Sequence, residues 1–307
     1  MTLSKVPLHK NGPFFSPIVA GCMRLGEWGA NYSADQMREF IEQCVENGVT
    51  TFDHADIYGH YSTEALFGEA LKQAPHLKDE IEVVTKCGIK LPTDRRPDYK
   101  IAHYDISADY IIWSADKSLK DLNLDVIDLL LIHRPSPLMH PDVISEAITK
   151  LKADGKVKHF GVSNFTSTQM SMMRSRMEPM TNQIEASLLH TEPFVNGSLD
   201  DAIEHHYKPM IWSPFGGGAL FNPGSDNENQ EQINRIEEAL HPLREKYECS
   251  TDQLLLAWLL KHPSKPVPVL GTSKADRVES AIHSLSINLD RQDWFILYEA
   301  ARGRQVD

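Results

Sequence analysis

A chain of 307 residues with 41% apolar side chains can bury a sizeable core, and no low-complexity stretch marks it as disordered. Its 31 basic and 43 acidic residues leave a net charge of −12, which disfavours nucleic-acid or anionic-membrane partners because phosphate surfaces reward excess cation. Four scattered cysteines, no apolar leader and no run of about 18 apolar residues point to a reducing, cytoplasmic setting without a membrane span.

No Pro/Gly/Ser-rich linker divides the chain, so residues 1–307 are expected as one domain of alternating strands and helices. A hairpin opens it: Val6–His9, a turn at Lys10-Asn11-Gly12-Pro13, then Phe14–Ser16, placed to close a barrel bottom and keep Phe14 or Phe15 from water. Pro17–Gly21 reads as the first barrel strand. Ser33 and Gln36 form a capping box for a helix with an apolar face of Met37, Phe40, Ile41, Cys44 and Val45. Thr50–Asp53 is the second strand, Thr63–Lys72 a helix and Ile81–Lys86 the third strand. Gly88–Ile106 is polar and carries Pro92 and Pro97. It is expected as an active-end loop bringing Arg95, Arg96, Tyr99 and His103 toward a ligand. Helix Ser107–Leu122 leads to the fourth strand, Val126–His133, whose continuous apolar run suits a strand covered on both faces.

Helix Asp142–Lys152, strand Lys158–Ser163, a helix capped by Thr166 and Gln169, strand Thr181–Ala186, helix Leu199–His206 and strand Met210–Pro214 follow. Phe215–Glu231, with Gly216-Gly217-Gly218, is expected as a mobile active-end loop. Two helices, Gln232–Tyr247 and Thr251–Lys261, stand where a barrel needs one. Strand Val267–Leu270, a helix capped by Ser273 and Asp276 that runs to about His283, and an outer helix Leu289–Ala301 complete the pattern. The sum is an α/β fold of the (β/α)8 TIM-barrel type, with an N-terminal β-hairpin and extra C-terminal helices.

Three of the strands deliver an ionisable group at the barrel's C-terminal end: Asp53, with Tyr58 five residues on, then Lys86, then His133. A phenol near its ordinary pKa of about 10 is a slow proton donor at neutral pH, and a nearby ammonium that stabilises the phenolate lowers that value. The set therefore suits reduction of a carbonyl compound: Tyr58 donates the proton, Lys86 tunes it, Asp53 orients Lys86, and His133 orients or helps protonate the carbonyl. His54 and His60 read as surface or supporting histidines.

The hydride needs a cofactor, and no GxGxxG follows the first strand; Gly21-Cys22-Met23-Arg24-Leu25-Gly26 lacks that spacing. The pyrophosphate must instead lie across the mouth. Gly271, Thr272, Ser273, Lys274 and Arg277 at the last barrel helix offer backbone donors and two cations, which suit the 2′-phosphate of NADPH. Ser163, Asn164 and Gln183 offer partners for a carboxamide. Asn182 and Gln183 cannot both face the mouth, and the reading selects Gln183. Trp212 supplies a flat ring for the nicotinamide.

The motifs FDHADIYG, VVTKCG, LLLIHRP, GKVKHFGVSNF, NQIE, IWSPFGGG and VLGTSKADRV together resemble the aldo-keto reductases, in their bacterial oxidoreductase branch, over Ile18–Glu299. The resemblance implies a metal-free, NADPH/NADP+-dependent reductase with the tetrad Asp53, Tyr58, Lys86 and His133. It implies cofactor contacts from Gly21, Met23, Arg24, Asp53, Ser163, Asn164, Gln183, Trp212, Ser213, Pro214, Phe215, Gly218 and the Gly271–Arg277 segment. Two positions depart from the usual pattern: Trp212 stands for a tyrosine, and Gly271 for a lysine. The loop after the fourth strand is short, so substrate choice would fall to Met23, Arg24, Trp28, the Gly88–Ile106 loop and residues after the seventh strand. A small carbonyl compound is the expected substrate and a monomer or weak homodimer the assembly. A metal-dependent hydrolase would want HxH or paired strand-end carboxylates, which the 14 histidines do not provide. The alternative within the family is a non-catalytic NADPH-binding regulatory subunit or redox sensor.

Overall fold

The computed structural model describes residues 3–221 and 229–306. Eight strands close a parallel barrel in chain order: β1 (Val19–Gly21), β2 (Thr51–Asp53), β3 (Glu82–Cys87), β4 (Ile127–Ile132), β5 (Val157–Ser163), β6 (Asn182–Glu185), β7 (Met210–Trp212) and β8 (Val267–Leu270). Around it run α1 (Ala34–Glu46), α2 (Thr63–Gln73), α3 (Ala108–Leu122), α4 (Pro141–Ala153), α5 (Ser167–Arg174), α6 (Ser198–Glu204), α7 (Gln230–Tyr247), α8 (Thr251–Leu260), α9 (Ala275–Ile282) and α10 (Arg291–Arg302). The predicted barrel, hairpin and additional helices are all present, with boundaries shifted by one to three residues at most ends.

Side chains alternate across a strand, so the register fixes which residues face inward. Val19, Val84, Leu129, Leu131, Met210, Val267 and Val269 pack together in the barrel interior, with Leu8 and Phe15 from the N-terminal hairpin joining them. Phe15 is fully buried and Phe14 is 58% exposed, so one of the two phenylalanines plugs the bottom. The alternate residues, such as Phe52, Val83, Ile132 and Val162, face the helices.

Helix starts follow local chemistry. Ser33 with Gln36 and Thr166 with Gln169 form complete capping boxes, and Met37, Phe40, Ile41 and Cys44 line the buried face of α1. The cap proposed for the last barrel helix does not form. Lys274 occupies that position without a side-chain cap, because Ser273 lies one residue too early and its carbonyl accepts from the Tyr32 hydroxyl. Its first-turn N–H groups therefore depend less on the protein's own side chains.

The Gly88–Ile106 segment is more ordered than its polarity implied. Ile89–Lys90 pairs antiparallel with His103–Tyr104, a ladder too short to leave a period-two signal in the sequence. Of the loop expected over Phe215–Glu231, Gly216–Gly218 forms one 3-10 turn, and residues 222–228 lie outside the described residues. Helices α7, α8 and α10 share one apolar cluster in which the Trp258 and Trp294 rings stack 5.2 Å apart. Among the described residues no helix is long and apolar enough to cross a membrane.

Candidate active site

Parallel registry brings the strand-end groups together. Asp53 pairs with Val84, so Lys86, two residues on, shares the inward face of β3. Lys86 pairs with Leu131, and His133 lies two residues beyond it on the same face. The same count carries the face through Gly161 to Ser163 and then to Gln183, which pairs with Met210, two before Trp212. The selection of Gln183 over Asn182 matches the geometry. Asn182 faces outward and exchanges two hydrogen bonds with the backbone of Phe165, at 2.7 and 3.2 Å.

Lys86 is fully buried, and each of its three ammonium protons has an acceptor: Asp53 Oδ2 at 2.7 Å, the His54 carbonyl at 2.7 Å and the Tyr58 hydroxyl at 3.1 Å. Because Tyr58 oxygen accepts from Lys86, its own proton is directed elsewhere. Asp53 Oδ1 accepts from Gln183 Nε2 at 2.7 Å, a bond across 130 residues of sequence. Burial pulls the Lys86 ammonium down, but Asp53 and Tyr58 more than offset this and hold it above its ordinary value. The pair is thus ionic, buried and hydrogen-bonded on both sides.

The expected fall in the Tyr58 pKa does not occur. Burial pushes the phenol up to about 12, and the Lys86 charge offsets only part of that penalty. Desolvation of an anion outweighs one ammonium that already shares its charge with Asp53. His133 also differs from a proton-giving imidazole. Burial first, then the charges of Lys86 and Arg134, hold it well below its usual range, so the ring is neutral. Its Nδ1 has no hydrogen-bond partner among the described residues, and its ring sits 6.2 Å from that of Tyr58.

Tyr58 is followed by three positive φ angles, Gly59 (56°), His60 (54°) and Tyr61 (69°). For the two residues with a Cβ, such a backbone costs about 1–2 kcal/mol each. A Cβ on Gly59 would lie 2.5 Å from Thr63 Oγ1, so glycine is required there. The Tyr61 hydroxyl accepts from Leu91 N at 2.7 Å and holds the turn against the next loop. Trp28 packs on Tyr58 with centroids 6.1 Å apart and on His60 at 5.4 Å, which walls the phenol on one side. Arg95 does not reach into the mouth; it pairs with Glu27 and the His60 carbonyl. Arg96 lies over the Tyr61 and Trp113 rings. His54 is not at the surface: it is fully buried against Phe67, 4.4 Å between ring centroids, and burial lowers it to about 3.

The polar groups on the opposite side form a hydrogen-bonded chain at β5–β7 and open out beyond β8. Ser163 Oγ donates to the Gln183 carbonyl at 2.8 Å, Asn164 Nδ2 donates to Ser163 Oγ at 2.7 Å, and Trp212 Nε1 donates to Asn164 Oδ1 at 3.0 Å. Gly21 is packed too closely for a side chain, since a Cβ would lie 2.7 Å from the Leu270 carbonyl. Met23 is 38% exposed, and Arg24 Nη2 reaches the Gly217 carbonyl at 3.4 Å. Ser213 and Gly218 adopt positive φ, Pro214 is buried, and Phe215 packs on Phe221. Gly271 faces open space, Thr272 Oγ1 accepts from Lys274 N at 3.1 Å, and neither Lys274 nor Arg277 has an ion pair among the described residues.

Three residues escaped sequence reasoning. Asp56 and Glu64 are fully buried behind the site, where burial holds them at about 8 and about 7. Glu64 accepts from Thr85 Oγ1 at 2.5 Å and Ser118 Oγ at 3.0 Å, and Asp56 accepts from Ser114 Oγ at 3.0 Å. No short-range pattern distinguishes such acids from solvated ones. The third is Arg134, whose signal was its place immediately after the strand-ending histidine. Among the described residues there is no cluster of three or more His, Cys, Asp or Glu able to hold a metal ion.

Residues 17–302 match the model of the aldo/keto reductase family. The 6-dehydroglucose reductase of Agrobacterium fabrum is 44% identical over 293 residues, covering 95% of this chain and 96% of that protein. Oxidoreductase YdhF of Escherichia coli is 43% identical over 306 residues, 99% of each chain. A solved glycerol dehydrogenase from Gluconobacter oxydans has a TM-score of 0.85 over 100% of this chain and 98% of that one; at 21% identity this is a likeness of fold. The chain belongs to the aldo/keto reductase family and is an oxidoreductase built for carbonyl reduction.

Proposed function

We propose that this chain reduces an aldehyde or ketone to the alcohol using NADPH, with Tyr58 as the proton donor, Lys86 as its modulator, Asp53 as the group that orients Lys86, and His133 as the residue that orients the carbonyl. The observation that carries this reading is the buried contact of Lys86 with both Asp53 and Tyr58. Tyr58 holds its proton at neutral pH, consistent with a raised pKa, and releases it only toward an oxygen that is becoming an alkoxide. The Lys86 ammonium, fixed by three acceptors, then stabilises the phenolate without further reorganisation. A neutral His133 suits hydrogen bonding to the carbonyl rather than protonating it.

The chain's residues fit the cofactor. When bound, NADPH supplies the hydride. Ser163, Asn164 and Gln183 would meet its carboxamide and Trp212 its ring, while Gly21, Met23, Arg24, Asp53, Ser213, Pro214, Phe215 and Gly218 would line its path. The support at the other end is the uncapped start of α9, with open space at Gly271 and unpaired Lys274 and Arg277 among the described residues. Backbone N–H groups and two cations there suit a phosphomonoester, with Thr272 and Ser273 beside them. One barrel domain over residues 1–307, working in the cytoplasm as a monomer or weak homodimer on a small carbonyl compound, completes the reading.

The likeness to a 6-dehydroglucose reductase makes sugar-derived aldehydes the first substrates to try. The test is NADPH oxidation against a panel of aldehydes and ketones, with Tyr58→Phe as control. Turnover that the substitution abolishes, with cofactor binding kept, supports the reading. Tight NADPH binding with no turnover of any carbonyl by the unaltered protein would transfer support to the regulatory-subunit alternative.

A further inference from the structure

Arg134 leaves the end of β4 directly after His133, yet its guanidinium lies 5.4 Å from the centroid of the Trp212 ring at the end of β7. In the barrel order, β5 and β6 stand between β4 and β7. Trp212 is on the inward face, two residues beyond Met210 of the interior cluster. A side chain that joins these two points spans the barrel mouth rather than its outer wall. Its charge reaches both His133 and Glu185, yet it makes no hydrogen bond and no ion pair among the described residues.

That combination is unusual in a protein of net charge −12, where carboxylates outnumber cations. A half-buried guanidinium normally spends its planar fork of N–H donors on a carboxylate or carbonyl. Here a ring supports one face and the donor edge is uncommitted, beside the histidine that the reductase reading places on the reacting carbonyl.

We propose that Arg134 is a substrate-selecting residue: it favours carbonyl compounds that carry an oxygen acceptor, either a carboxylate or hydroxyls, within a few bonds of the reacting carbon. This deepens the reductase reading and rests on it. A site that hydrogen-bonds a substituent discriminates strongly against the analogue lacking it, because its own donors are then left without a partner. An unsubstituted aldehyde of equal length forgoes this interaction.

The experiment measures kcat/KM with NADPH for succinic semialdehyde, glyceraldehyde and butanal, which offer a carboxylate, hydroxyls and neither. The unaltered protein should prefer the first or second over butanal by at least about tenfold. In Arg134→Met that ratio should fall by about 10–100-fold, the range for a hydrogen bond to a charged group. Arg134→Lys keeps the charge but not the fork, so it should retain part of a carboxylate preference and lose a hydroxyl preference, which separates the two sources. Calorimetric titration of succinate and of glycerol into the NADP+-loaded protein gives a readout independent of turnover, with affinity for one of them lost in Arg134→Met. Failure to reduce any of the three aldehydes would count against the reductase reading, and the titration would still decide the role of Arg134. No acceptor preference in the unaltered protein, or ratios and affinities within threefold between it and the substituted forms, overturns the proposal.

Discussion

On the β2–β4 side of the mouth, Asp53, Tyr58 and Lys86 are buried and bonded to one another before any ligand arrives. On the β7–β8 side, Gly271, Lys274 and Arg277 are exposed, and the two cations have no ion pair among the described residues. The first arrangement has its geometry set by folding, so no reorganisation is needed when charge develops on the phenol. The second keeps its donors in water, where they are available to the anionic group that the proposed reading places there. On the proposed reading, rigidity is concentrated where a proton would move, and open donors where the cofactor would bind and depart.

The contrast can be broken most sharply at Tyr58. Replacing it by Phe should lower kcat by about 10²–10⁴-fold, as expected for loss of a positioned acid, while NADPH affinity measured by fluorescence quenching stays nearly the same. An equal loss of binding would mean that the two sides are not separable. Lys86→Met tests the buried side through stability. It leaves Asp53 as an uncompensated buried charge, with an expected cost of about 3–5 kcal/mol in urea denaturation.

Glu64 probes the same side through pH. Burial first, partly offset by its hydroxyl partners, raises it from 4.5 to about 7. The folded protein then holds a proton that the unfolded chain has released. The contribution of Glu64 to stability is fully present below 4.5, declines as pH rises to about 7, and is flat above that. Glu64→Gln should remove about 3 kcal/mol of this decline between pH 4.5 and 7, read as the difference between the two stability profiles. A parallel profile would show that the carboxyl is not held protonated. The smallest effect belongs to the open side: Arg277→Ala should raise the dissociation constant for NADPH by about 10–100-fold, leaving NADH affinity and thermal stability little changed.

The pieces that were legible in the sequence share a short range. Short apolar runs ending on Asp53, Lys86 and His133, and boxes such as Ser33 with Gln36, are set by neighbours within a few residues. Side-chain alternation was enough to choose Gln183 over Asn182. The ladder at Ile89–Lys90, the Lys274 cap position and the burial of His54 were not legible, because each depends on what lies opposite in space.

By itself, then, the order of residues determined the barrel, the family and which ionisable groups crown its strands, since alternation and capping are local effects. Only the closed structure decided how those groups behave. The distance over which Asp53 meets Gln183, the passage of Arg134 to Trp212, and the balance that leaves Tyr58 at about 12 all arise from segments far apart in the chain. Desolvation and charge act through space, so their outcome is fixed only when the barrel has closed around them.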